Sequence, residues 1–130
     1  MASVIVQWRK LNIDEEEDLL REDKLDAIER TVLDKFKTLL LERVRLHKLI
    51  LFGSRARGDA GPHSDADVVV ILDDASSERD FDSVSDCAWE AGFEYGIVIV
   101  PVVFIREEWE NSPERYSLLA QVVEKEGIPL

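Results

Sequence analysis

KLILFGSRARGDAGPHSDADVVVIL, residues 48–72, reads as two short apolar strands joined by a loop. Lys48 to Phe52 is an apolar run of strand length that stops at Gly53 and Ser54. Asp67 to Leu72 is a β-branched run of the kind buried in a sheet. Residues 53–66 carry three glycines and one proline, which makes them a loop with room for one helical turn from Ser54.

The polar residues of this loop form a chemical set. A Gly-Ser turn leaving a strand lets a phosphate come close to the backbone, because glycine has no side chain and exposed N–H groups accept an anion. The Ser54 hydroxyl adds a donor. Asp65 and Asp67 stand two apart at the head of the second strand, so strand periodicity points both carboxylates to one face. Two such carboxylates suit a hard cation, and Mg²⁺ typically takes one or two carboxylates plus substrate phosphate oxygens. If the two strands are neighbours, a nucleoside triphosphate fits between turn and carboxylates, an arrangement that suits phosphoryl or nucleotidyl transfer. The competing reading is a glycine-rich connection in which Asp65 and Asp67 cap a turn.

Working outward, Leu25, Ile28, Val32, Phe36, Leu39 or Leu40, and Val44 recur at steps of three and four, which predicts a helix over about residues 23–46. The acidic run Asp14 to Asp18 precedes it, where negative charge suits a helix start. Phe81, Val84, Ala88, Ala91 and Tyr95 mark a second helix face over about 78–95, stopped by Gly96. Ile97 to Phe104 is a third strand, and Pro101 within it argues for an edge position or a bulge. Ser112-Pro113 opens a last helix that Gly127 and Pro129 close. The order predicts an α/β (α+β) fold with a small mixed sheet flanked by helices. An N-terminal arm occupies residues 1–22 and one domain residues 23–130.

Composition agrees with this and narrows the partners. The chain of 130 residues is 45% hydrophobic and has three Trp, five Phe and two Tyr, enough for a packed core. One cysteine, Cys87, allows no internal disulfide and points to a reducing, cytoplasmic setting. The longest apolar run, Ile97 to Ile105, falls far short of the ~20 residues of a membrane span. A net charge of −12 opposes direct nucleic-acid binding. Residues 31–58 nevertheless hold seven basic groups against two acidic ones, an island that ends at Arg55 and Arg57. Lys35, Lys37, Arg43 and Arg45 read as a solvated helix face, His63 as an ordinary loop residue, and Cys87 as a small helix-face hydrophobe.

Gly53-Ser54, then ten residues, then Asp65-Ala66-Asp67 resembles the signature of the nucleotidyltransferases of the DNA-polymerase-β-like fold, and among them the minimal nucleotidyltransferases of the MNT group. Ala56-Arg57-Gly58 and Ser64 are similar to the family's usual filling of the interval. The resemblance covers about residues 23–105. It implies Gly53 and Ser54 on the phosphates of ATP or another nucleoside triphosphate, Asp65 and Asp67 on Mg²⁺, and Arg57 supporting either the loop or a phosphate. It also implies transfer of a nucleoside monophosphate to a hydroxyl acceptor. Members of the group often work beside a helical HEPN protein in toxin–antitoxin pairs, where a tyrosine of the partner can be the acceptor.

The third strand departs from that pattern. The family usually supplies a third carboxylate there, completing a site for two metal ions about 3.5–4 Å apart. Ile97 to Ile105 is uncharged, with Val98 near the place expected for the acid. Asp73 and Asp74 stand at the far end of the second strand, and Glu94 and Glu107 read as helix-end surface residues. The sequence thus predicts binding more firmly than catalysis. Its alternative is a catalytically weak or silent module that acts by binding a partner.

Overall fold

The computed structural model describes residues 25–111 and 114–130, with the side chains of 114–117 left aside. The expected arm over 1–22, the acidic run within it and the Ser112-Pro113 helix start lie outside the described residues.

Helix α1 spans Ala27–Arg43. Asp26 caps it reciprocally: its carboxylate accepts from the Glu29 N–H at 2.7 Å while its own N–H donates to Glu29 Oε1 at 3.0 Å. Leu25, Val32, Leu33, Phe36 and Leu40 are buried. Ile28, expected on that face, is 54% exposed, and Glu29 stands in the stripe instead. The helix also ends earlier than residue 46, because Val44 is already extended.

Strand β1 is Leu46–Phe52, the one-turn helix α2 is Ser54–Arg57, and β2 is Ala66–Leu72. Helix α3 covers Glu78–Gly92 and passes into a 3₁₀ turn at Phe93–Tyr95, which left-handed Gly96 ends at φ +66°. Val84, Ala88 and Ala91 are buried as expected, but Tyr95 is exposed because the tightened turn carries it off the helix face. Strand β3 is Ile99–Ile105, and helix α5 is Glu114–Glu126. The short helix α4, Arg106–Glu110, and the two-residue strand β4, Ile128–Pro129, were not foreseen from the sequence.

The sheet runs β3-β2-β1-β4. β2 and β3 are parallel, whereas β1 is antiparallel to both β2 and β4, so the sheet is mixed. Among the described residues β3 lies at an edge, where Pro101 forfeits least. β2 is central and covered on both faces. Its Ala66, Val68, Val70 and Leu72 join the cluster with Phe36, Leu40, Val84 and Ala88 of α1 and α3. Val69 and Ile71 face the other way, onto Phe104 and Val123, with Trp109 and Leu119 packed against them. Double burial explains the unbroken apolar run of β2. No helix among the described residues is long and apolar enough to cross a membrane.

Candidate active site

The β1–β2 register fixes the site. Phe52, the last residue of β1, has Asp67 as its Cα partner, so the Gly-Ser turn that follows lies beside the aspartates. Gly53 has φ +77°, and a Cβ placed on it would come within 2.6 Å of Asp67 Oδ2. Glycine is therefore required twice, for its backbone angle and for its missing side chain. The next residues make one turn: the Arg57 N–H donates to the Gly53 carbonyl at 3.0 Å and the Asp59 N–H to that of Ser54 at 3.1 Å. Gly58, left-handed at φ +80°, ends the turn.

Arg55 holds the loop closed. Its guanidinium donates from Nε and Nη2 to the Ser64 carbonyl at 2.9 and 2.6 Å, and from Nη1 to Glu29 Oε2 at 3.0 Å. Both charged residues are buried, Arg55 at 6% and Glu29 at 8% exposure. Glu29 thus belongs to the site, and sequence reasoning missed it. The available signal was a lone glutamate on the apolar stripe, four residues after Leu25 and three before Val32.

Asp65 is exposed and Asp67 partly buried. Burial, and next the neighbouring Asp65 charge, push the Asp67 carboxyl above its ordinary value, while Arg57 pulls it partly back. Two carboxylates that repel one another beside the Gly53-Ser54 turn form a donor set that fits a hard divalent cation. β3 carries no acid to serve as the expected third carboxylate. Asp67 has Val100 as its Cα partner on β3, so Val100, rather than Val98, marks the position beside it. Val98 lies two residues earlier, where its carbonyl accepts from the Ala66 N–H at 2.8 Å. Among the described residues no three His, Cys, Asp or Glu are grouped to hold a metal ion. Asp74 and Glu107 meet at the opposite end of the sheet, where the Glu107 N–H donates to Asp74 Oδ1 at 2.7 Å.

One further carboxylate reaches the loop. Glu126, the last residue of α5, accepts from the Gly53 N–H at 3.1 Å through Oε1 and from Arg57 Nη1 at 3.2 and 3.3 Å. Arg57 also donates from Nε to Asp59 Oδ2 at 3.2 Å, so its guanidinium bridges the loop and the end of α5. His63 is exposed and Cys87 buried, as expected. Apart from these groups, a hollow of about 390 Å³ lies between α3 and the β3 edge, lined by Trp89, Phe93, Gly96, Val98 and Pro101 among others. Trp89 and Phe93 are 69% and 67% exposed there.

The nucleotidyltransferase domain family matches residues 30–128. "Putative protein adenylyltransferase MJ0604" of Methanocaldococcus jannaschii is 39% identical over 83 residues, which cover 64% of this chain and 77% of that protein. "Putative protein adenylyltransferase MJ0141" of the same organism is 29% identical over 77 residues, 57% of this chain and 78% of that one. A crystal structure of a toxin–antitoxin with AMP-PNP shares the fold at a TM-score of 0.54 and 21% identity, covering 74% of this chain and 69% of the other.

Proposed function

Because the chain belongs to the nucleotidyltransferase domain family, we propose that it transfers an adenylate group from ATP to a hydroxyl of a protein partner. The observation that carries this reading is the close approach of the Gly53 backbone to Asp67, which leaves no room for a side chain between the Gly53-Ser54 turn and the carboxylates. Gly53 and Ser54 would hold the phosphates, and Asp65 and Asp67 would hold Mg²⁺. When bound, the cation neutralises phosphate charge and the leaving pyrophosphate. In the transfer the acceptor oxygen bonds to the α-phosphorus, the α–β bridging bond breaks, pyrophosphate leaves with that electron pair, and the acceptor proton passes to solvent. Arg55 and Glu29 keep the turn and the carboxylates at fixed spacing throughout.

A protein acceptor is supported by the names of the two relatives and by the surface beside the site. Val98, just before β3, is 57% exposed, and Val100, the Cα partner of Asp67 on β3, is 37% exposed. Val98 lines a hollow with exposed Trp89 and Phe93, an apolar surface that a small hydroxyl compound does not need. A HEPN-type helical protein, as in toxin–antitoxin pairs, in the cytoplasm, is the partner we propose. A second reading, binding without transfer, is favoured by one observation: the Cα partner of Asp67 on β3 is the uncharged Val100.

Incubating the chain and its co-purified partner with Mg²⁺ and ATP labelled at the α-phosphate separates the two. Label on the partner that is lost in Asp65→Asn/Asp67→Asn supports transfer. Stable complex formation with no label in either form leaves only the binding reading.

A further inference from the structure

Glu126 is a carboxylate resting on two donors of the loop, the Gly53 N–H and the Arg57 guanidinium. It is not a loosely tethered surface group. Its side chain is only 19% exposed, and the backbone is pinned on the C-terminal side. The Gly127 N–H donates to the Val123 carbonyl at 2.6 Å, and a Cβ on Gly127 would lie 2.3 Å from that oxygen and 2.7 Å from Ile50 Cγ2. Ile128 is fully buried and has Leu51 as its Cα partner, and the Leu130 N–H donates to Leu49 at 2.8 Å. The end of α5 is therefore clamped to β1, the strand that delivers Gly53, and the carboxylate stays near the turn.

We infer that Glu126 is a specificity-determining residue, which makes the loop reject free triphosphate and accept the divalent-cation complex. The inference rests on the nucleotide reading above and adds to it the form of the ligand. A fixed negative charge repels a ligand in proportion to the ligand's own charge, and a bound divalent cation cancels about two of the roughly four charges of a free triphosphate. Asp65 and Asp67 attract the complex through its cation, whereas Glu126 acts on the phosphate side, where only repulsion and competition for donors are available. Removing its charge should therefore help the free triphosphate much more than the complex.

Calorimetric titration of the full chain and of Glu126→Gln, each with ATP plus Mg²⁺ and with ATP plus EDTA, tests this. Gln keeps an oxygen for the Gly53 N–H, and Glu124→Gln, on the exposed side of α5, controls for the change in net charge. The expected result is a rise of about tenfold in affinity for free ATP in Glu126→Gln, a change below about threefold for the magnesium complex, and no such shift in Glu124→Gln. An equal change for both ligands would show simple competition for the donors and overturn the inference. Weaker binding of both would show that Glu126 only supports the loop, which also overturns it. If wild type binds neither ligand, the nucleotide reading itself fails. Thermal melting of both variants verifies that they fold.

Discussion

Arg55 and Ser64, the first and last residues of the ten-residue interval between Gly53-Ser54 and the aspartates, are joined by two hydrogen bonds from one guanidinium to one carbonyl, at 2.9 and 2.6 Å. The interval is thus a closed loop whose two chemical ends cannot drift apart, and its clasp is buried on Glu29.

That clasp predicts a large stability loss for Arg55→Met. The substitution removes a buried partner and leaves the Glu29 carboxylate unpaired beside the core, which typically costs about 3–5 kcal/mol. Urea denaturation should show a loss of that size, with a smaller loss when Glu29→Gln is added in the same chain. A drop below about 1 kcal/mol for Arg55→Met would mean that the pair is solvated.

Asp67→Asn should stabilise the protein while damaging its site. The folded carboxyl titrates above its ordinary value of 3.8, so the native state binds more protons than the unfolded chain as the pH passes through that window. The resulting penalty is absent below pH 3.8, where both states are protonated, and complete once the pH exceeds the raised folded value. Melting temperature at neutral pH should therefore be higher in Asp67→Asn, with the difference vanishing in acid. Added Mg²⁺ should raise the melting temperature of the wild type alone. A variant less stable than wild type at neutral pH contradicts this.

The parts of this site differ in how far the sequence discloses them. Gly53, Ser54, Asp65 and Asp67 are visible because their chemistry is local: a glycine-serine turn after an apolar run, and two acids in strand alternation. Glu29 and Glu126 act on the same loop from 26 and 73 residues away along the chain, counting to Arg55 and to Gly53. Their partners depend on how α1 and α5 pack, which periodicity alone does not reveal. Ile28 shows the same limit, since a step of three or four admitted it to the face that Glu29 occupies. α4 and β4, at five and two residues, are too short to produce a repeat. The edge position of β3 was readable because proline has a backbone reason to be there.

Val100→Asp should strengthen metal binding and raise any transfer. Val100 has Asp67 as its Cα partner and is 37% exposed, so an acid there is solvated and on the face of the existing carboxylate. Without a cation the variant should melt at a lower temperature than wild type, because a like charge has been added beside Asp67. Mg²⁺ should recover that loss, and label transfer should rise by roughly tenfold or more, the order expected of one added electrostatic group. A folded variant with unchanged Mg²⁺ affinity and unchanged transfer would place the missing acid elsewhere.

The central claim is that Gly53, Ser54, Asp65 and Asp67 form one site for a cation-bound nucleoside triphosphate. The most direct measurement is calorimetric titration of ATP with Mg²⁺ into the wild type and into Asp65→Asn/Asp67→Asn, both checked for folding by melting. The account predicts saturable binding to the wild type and at least about a tenfold loss in the variant, the equivalent of ~1.4 kcal/mol. Equal affinity in the two proteins would contradict it.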